Sequence, residues 1–131
     1  MRRPSPSIRW RHVLLGSAVA LLLTALLALL ATTADEPSIG SGAGIAGIAF
    51  GGFLAGRWTR DAGFLHGGMV AAIWIIVQAF TEMGTAAEVA NPLIDLALIL
   101  LEDIGRLVVG GVFGWLGARS FSPPATRPGR R

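Results

Sequence analysis

Four long apolar stretches organise the chain, and short polar connectors separate them. A helix that crosses the roughly 30 Å hydrocarbon core of a bilayer needs about 20 predominantly apolar residues. Each stretch is close to that length, and the connectors contain the Gly, Pro and Asp that are typical of turns. We therefore predict an all-α bundle of four transmembrane helices, over about 12–33, 39–58, 63–82 and 92–118.

The two ends of the chain differ from these stretches. Residues 1–11 are basic and contain Pro and Ser, and residues 119–131 form a second basic segment. Such compositions bury too little apolar surface to become ordered on their own. We expect a basic N-terminal segment over 1–11, a transmembrane domain over 12–118 and a disordered basic tail over 119–131.

The first apolar stretch has an alternative interpretation as a signal peptide. Four arginines precede it, and Thr32-Thr33-Ala34 follows it as a passable cleavage site. The apolar part of a signal peptide usually spans about 7–15 residues, whereas this run covers 13–31. We predict an uncleaved helix, with the cleaved signal peptide as the alternative.

The composition agrees with a membrane location. Hydrophobic residues make up 53% of the chain and charged residues only 15%, against about 25% charged residues in a typical soluble domain. The mean hydropathy is +0.63, which argues against a disordered chain and against a soluble enzyme. Because the sequence has no Cys, it is not a disulfide scaffold and holds no Cys-ligated metal or iron–sulfur cluster.

The distribution of charge predicts the orientation. All 11 basic residues are Arg, and ten of them fall in the N-terminal segment, the second connector and the C-terminal tail. The other two connectors carry Asp35, Glu36, Glu82 and Glu88 and no Arg. Short Arg-rich loops stay on the cytoplasmic side. The pattern therefore predicts a multi-pass protein of the cell membrane with both termini in the cytoplasm.

The tryptophans fit this orientation. Trp10, Trp58 and Trp115 fall at predicted cytoplasmic helix ends, where an indole favours the headgroup level. Trp74 falls in the middle of the third helix. We expect Trp74 to pack inside the bundle.

Glycines recur at helical spacing on the second and fourth helices. Small residues in such rows allow two helix backbones to approach closely in lipid. We interpret these rows as packing faces within the bundle, and a homo-oligomer interface is a compatible alternative. The predicted packing glycines are Gly40, Gly44, Gly47, Gly51, Gly110, Gly114 and Gly117.

The fourth helix carries Asp95 near its start and a trio of charged residues farther along, Glu102, Asp103 and Arg106. Isolated charges inside a bilayer cost at least about 2.5–3.5 kcal/mol each, so we expect these residues to pair and to face the buried side of the bundle. Their spacings of i,i+4 and i,i+3 allow both ion pairs. The trio sums to −1, and three interpretations are open: a local ion pair with its spare carboxylate in water, a proton-, ion- or substrate-binding site, or a helix that starts later and leaves the charges at the interface.

Two further polar residues are candidate polar contacts. His66 starts the third helix, near the interface, where an imidazole is easily solvated, and Gln78 lies in the same helix. We expect a structural role for His66 rather than metal ligation, because no second His lies at ligand spacing. The sequence contains no recognisable arrangement of catalytic residues. We therefore predict that the protein is not an enzyme and binds no metal and no cofactor.

The segments Gly51-Gly52-Phe53-Leu54-Ala55-Gly56-Arg57 and Gly63-Phe64-Leu65-His66-Gly67-Gly68 resemble a family of small four-span bacterial membrane proteins of unknown function. In that family a Gly-rich second helix ends in a basic turn, and His-Gly-Gly begins the third helix. The Gly-Gly-x-x-Gly pattern of its fourth helix is matched here by Gly110, Gly111 and Gly114. The resemblance implies a fold and a membrane location, and no activity.

Two functional hypotheses follow for such a small chain. It is expected to be a structural or accessory subunit that packs with itself or with a larger membrane protein. The alternative is a small oligomeric transporter or channel that uses Glu102, Asp103 and Arg106. Its expected surroundings are the lipid bilayer and a protein partner, with no nucleic acid.

Overall fold

The structure is a computed structural model that describes residues 8–34, 37–59, 62–82 and 92–120. These residues form four α-helices and no strand: α1 (Trp10–Ala34), α2 (Pro37–Thr59), α3 (Gly63–Glu82) and α4 (Pro92–Arg119). The all-helical prediction is confirmed, and each helix begins and ends within two residues of its predicted bounds. Most of the predicted N-terminal segment, nearly all of the tail and most of the connectors lie outside the described residues.

The four helices run alternately up and down between two ends of the bundle. At the near end α1 and α3 begin and α2 and α4 finish, and at the far end α1 and α3 finish and α2 and α4 begin. Both α2 and α3 contact all other helices, whereas α1 and α4 do not contact each other. The bundle therefore has α2 and α3 at its centre, with α1 and α4 on opposite sides.

The contact between α1 and α2 depends on glycine. A Cβ atom built on Gly16 would lie 2.7 Å from the carbonyl oxygen of Gly51, and one built on Gly51 would lie 2.7 Å from the Cβ of Ala20. Gly47 packs in the same way against the backbone of Ala20 and the side chain of Thr24. The helices are thus so close that larger residues would force them apart.

A second set of close contacts holds the near half of α4. A Cβ on Gly52 would lie 2.8 Å from the carbonyl oxygen of Gly110, and one on Gly56 would overlap with Gly114. Gly67 of α3 packs against Gly110 from the other side. Gly117 packs against the backbone of Phe53. This half of α4 therefore lies in a groove between α2 and α3.

The predicted packing position Gly40 differs from these. Gly40 is exposed, and a Cβ there would meet the Cβ of Ala31 at an ordinary distance of 3.6 Å. Gly44 instead lies against the ring of Trp74, 2.7 Å from a built Cβ. The glycine row of α2 thus faces α1 at Gly47 and Gly51 and faces α3 at Gly44.

Because small residues form the contacts between the helices, many large apolar side chains lie on the outer surface of the bundle. The buried core is small and includes Val13, Ile48, Val70 and Trp74. All four helices expose large hydrophobic side chains, for example Leu22, Phe50, Phe80 and Leu101. Among the described residues, α1 and the Gly63–Thr81 part of α3 are long and apolar enough to cross a membrane, which gives weak support to a membrane location. The charged trio interrupts the apolar run of α4.

Candidate ligand-binding cavity

The far half of α4 lies apart from the rest of the bundle. Every residue over 96–102 is exposed, and a Cβ built on Gly105 would have no neighbour within 4 Å. By contrast, Gly110 and Gly114 in the near half are buried between α2 and α3. The glycine contacts end where the charged residues begin, so a gap opens beside Arg106.

The charges of Glu102, Asp103 and Arg106 in α4 are paired as their spacing predicts. Nη2 of Arg106 donates to Oε1 of Glu102 at 2.5 Å, and Nη1 donates to Oδ1 of Asp103 at 3.0 Å. A guanidinium that is held by two carboxylates has little freedom to move. α4 begins at Pro92, so the trio lies within the helix and not at its start.

Burial differs within the trio. The side chains of Arg106 and Asp103 are 17% and 25% exposed, but that of Glu102 is 63% exposed. The expectation that all three charges face the buried side is therefore wrong for Glu102. The reason is the gap beside α4, since no other helix lies close enough there to cover this carboxylate.

Trp74 supports the guanidinium from α3. The Cζ atom of Arg106 lies 5.0 Å from the centroid of the indole ring, which is within the range of a cation–π interaction. Gly44 packs against the same ring, and Nε1 of Trp74 donates to the hydroxyl of Thr24 at 3.1 Å. Trp74 is only 6% exposed, which agrees with the packing role predicted for it.

Thr24 connects three helices through one hydroxyl. It accepts the hydrogen bond from Trp74 of α3, and it lies 2.9 Å from the carbonyl oxygen of Ala20 in α1 and 3.4 Å from that of Ala43 in α2. A single hydroxyl hydrogen serves one of these two acceptors at a time. The indole, and with it Arg106, is therefore fixed relative to α1 and α2.

These residues border a cavity of about 490 Å³ that is open on one side. Its polar lining consists of Thr24, Gln78, Thr81, Glu102 and Arg106, together with the edge of Trp74. The rest of the lining is apolar or small and includes Leu21, Ala25, Ala28, Ile45 and Val77. The volume is within the usual range of small-molecule pockets, about 300–1,000 Å³. Apolar walls with a few polar groups are also typical of such pockets.

A second cavity adjoins the first. It has a volume of about 260 Å³, lies between α2 and α4, and is lined by Ile48 and Val109 among others. Glu102 and Arg106 line both cavities. The ion pair thus stands between the two spaces.

His66 lies far from this cavity and is 1% exposed. Its Nδ1 is 3.0 Å from the carbonyl oxygen of Ala62, and its Nε2 is 3.1 Å from the backbone nitrogen of Arg9. An amide can only donate, so Nε2 accepts and Nδ1 donates, which defines a neutral imidazole. The imidazole is thus buried and not solvated: Nε2 links α3 to the residue before α1, and Nδ1 bonds within the start of α3.

The sequence predicted a packing role for Gly44, but it did not indicate the contact of Gly44 with the ring of Trp74, the role of Thr24, or the fact that Trp74 supports a cation. A lone Thr within an apolar run is the weak signal that Thr24 offers. In the described parts of the chain no three His, Cys, Asp or Glu side chains are grouped as a metal site requires.

No protein-family model matches this chain, and no curated protein or solved structure matches it. The resemblance to the four-span family therefore stays a prediction based on its glycine and histidine motifs.

Proposed function

We propose that all four helices cross the membrane, with the near end and both termini in the cytoplasm. The exposed apolar side chains of α4, such as Leu98, Leu101 and Val108, support this, because water does not favour a continuous apolar surface of this kind. The exposed Trp10, Trp58 and Trp115 lie at the near end, as a headgroup belt requires. These features support a membrane position for α2 and α4 as well as for α1 and α3.

We also infer that α1 is retained in the mature protein. Gly16, Ser17 and Ala20 are buried in close contact with α2, and Thr24 holds Trp74. Cleavage after residue 34 would expose this face of α2 and remove one wall of the cavity. The mass of the purified protein tests this, since loss of residues 1–34 would contradict it.

The absence of Cys allows a direct test of orientation. Ser120→Cys at the near end and Thr81→Cys at the far end both introduce a thiol at an exposed position. In intact cells a membrane-impermeant maleimide should label Thr81→Cys only, and Ser120→Cys should react after permeabilisation. Labelling of Ser120→Cys in intact cells would contradict the proposed topology.

For the role of the protein, we propose that it binds a small molecule in the cavity of about 490 Å³ as a step in transport. The observation that carries this proposal is the convergence of Thr24, Gln78, Glu102 and Arg106 on one open cavity with apolar walls. Intramembrane charges are by default indicators of a functional site. The adjoining cavity behind the ion pair offers a second position along the same path.

Binding of three size-matched probes tests this role: benzyltrimethylammonium, its neutral carbon analogue neopentylbenzene, and benzylsulfonate. The full chain in phosphatidylcholine nanodiscs is compared with Ala28→Phe, which places a ring in the cavity. The matched control is Ala79→Phe on α3, since Ala79 is exposed and does not line this cavity. At least one probe should bind to the wild type and to Ala79→Phe and be lost in Ala28→Phe. If no probe behaves in this way, the ligand-binding role is wrong.

An accessory role is the second candidate. It is favoured by the position of α1 and α4 on opposite sides of the bundle, where both helices expose large apolar side chains. Such faces suit contact with a larger membrane protein as well as with lipid. Copurification of a stoichiometric partner, together with an absence of probe movement in proteoliposomes, would favour this role over transport.

A further inference from the structure

We propose that the cavity takes a monovalent organic cation with an apolar body, and that the carboxylate of Glu102 is its counter-charge. This rests on the proposed ligand-binding role and adds the chemical class of the ligand. The inference depends on three features: the charge beside the cavity, the accessibility of the charged groups, and the size and apolar lining of the cavity.

The first feature is the charge beside the cavity. Two carboxylates share the single guanidinium of Arg106, so the trio carries a net charge of −1. The sequence adds no positive charge toward the far end, because α3 ends at Glu82 and neither the first nor the third connector contains Arg. A partly desolvated site of one sign attracts ligands of the opposite sign. The cavity therefore favours a cation over an anion.

The second feature is the accessibility of the three charges. The side chain of Glu102 is 63% exposed and lines the cavity, whereas Arg106 is 17% exposed and is held by both carboxylates. An anion would have to displace a carboxylate from Arg106. A cation needs only to approach Glu102, which can contact it without breaking the pair to Arg106.

The third feature is the size and the apolar lining. A bare metal ion needs several oxygen ligands at about 2.0–2.6 Å, and the described residues do not group three such ligands. The volume of about 490 Å³ and the walls of Leu21, Ile45 and Val77 instead fit a molecule with an apolar body. One charged group on such a body matches the single unit of excess negative charge.

Trp74 does not act as the platform for this cation. The guanidinium of Arg106 and the backbone of Gly44 already lie against its ring, and the ring is 6% exposed. Trp74 is thus a positioning residue that holds Arg106. Recognition of the ligand is expected to depend on the carboxylate of Glu102 and not on stacking against an aromatic ring.

The same three probes in nanodiscs test this inference, with binding measured by equilibrium dialysis against empty nanodiscs. Benzyltrimethylammonium should bind about tenfold more tightly than neopentylbenzene, which corresponds to about 1.4 kcal/mol. Benzylsulfonate should bind most weakly. Glu102→Gln should remove the preference for the cation, and Glu102→Asp should retain it. Asp95→Asn, which removes one negative charge from the same helix outside the cavity lining, should leave the preference unchanged.

The outcomes separate the two proposals. If neopentylbenzene or benzylsulfonate binds as tightly as the cation, or if Glu102→Gln keeps the preference, the cation assignment is wrong and the ligand-binding role stands. A loss of preference in Asp95→Asn equal to that in Glu102→Gln would also overturn the assignment, because the effect would then come from general charge. If none of the probes binds in a way that Ala28→Phe abolishes, the ligand-binding role itself fails.

Discussion

Nε2 of His66 accepts a hydrogen bond from the backbone amide of Arg9, with 3.1 Å between the two nitrogen atoms. Arg9 directly precedes α1, and its carbonyl oxygen accepts from the amides of His12 and Val13. The imidazole of α3 therefore serves an amide at the start of α1 that has no partner within its own helix. Fifty-seven positions separate the two residues in sequence, so this bond fixes one end of the bundle.

Loss of this imidazole should destabilise the protein. His66→Phe removes the partner of the Arg9 amide and one of the two hydrogen bonds to the Ala62 carbonyl, and each such bond contributes about 0.5–1.5 kcal/mol. The free energy of unfolding, measured by circular dichroism in mixed micelles, should fall by that amount or more. Its matched control is His12→Phe, since Nδ1 of His12 is buried without a hydrogen-bond partner among the described residues. Equal losses in the two variants would contradict the role given to His66.

The glycine contacts between α2 and α4 should tolerate no side chain. Gly56→Ala places a Cβ in overlap with the backbone of Gly114, and such overpacking costs about 1–3 kcal/mol or more. Gly42→Ala on the same helix adds a Cβ that meets nothing within 4 Å and should leave stability unchanged or raise it, because Ala favours helix. The midpoint of thermal unfolding should therefore fall for Gly56→Ala only. A similar midpoint for both variants would show that α2 and α4 are not in this close contact.

The hydrogen bond between Trp74 and Thr24 should appear as a coupling energy. Trp74→Phe removes the Nε1 donor and keeps an aromatic ring, and Thr24→Val removes the acceptor and keeps the branched shape. Interhelical hydrogen bonds in membranes contribute about 0.6 kcal/mol on average and up to about 1.7 kcal/mol. A double-mutant cycle on the unfolding free energy should give a coupling in that range. Strictly additive losses would contradict a direct bond between these two side chains.

The charged trio should be more sensitive to loss of its cation than to loss of all its charge. Arg106→Gln leaves Glu102 and Asp103 as neighbouring carboxylates without their shared partner, which is costly in a medium that solvates charge poorly. The triple variant Glu102→Gln, Asp103→Asn, Arg106→Gln leaves no ion to compensate. We expect a larger loss of folded protein in the single variant than in the triple variant, measured by monodisperse yield and by the unfolding free energy. The reverse order would contradict the pairing.

The local sequence pattern was sufficient to predict the four helices and the ion pairs of Arg106. The ion pairs of Arg106 follow from the i,i+3 and i,i+4 geometry of a single helix, so the sequence predicts them without knowledge of the other helices. The burial of Glu102 was not predictable in this way, because it depends on how far α4 lies from its neighbours. The same holds for His66 and Arg9, whose contact arises only once α1 and α3 are packed.

The glycine rows illustrate a further limit. Spacing alone identified Gly47, Gly51, Gly110 and Gly114 as one class of position, and it also included the exposed Gly40. Which helix each glycine meets is set by the crossing of the helices, and no periodicity within one segment encodes that crossing. The homo-oligomer interpretation also stays open, since the tight contacts described here lie within one chain.

The absence of contact between α1 and α4 has a consequence for biosynthesis. In the topology proposed above, α2 enters the membrane when α1 is already there, α3 follows both of these, and α4 follows the two helices that it contacts. Each helix after the first therefore meets an earlier helix that it contacts, and α3 completes its largest contact when α4 arrives, so the bundle can be assembled in the order of translation. The cavity wall at Glu102 and Arg106 is then the last part to be completed, and a nascent chain that stops before α4 exposes Trp74 without the cation that lies against it.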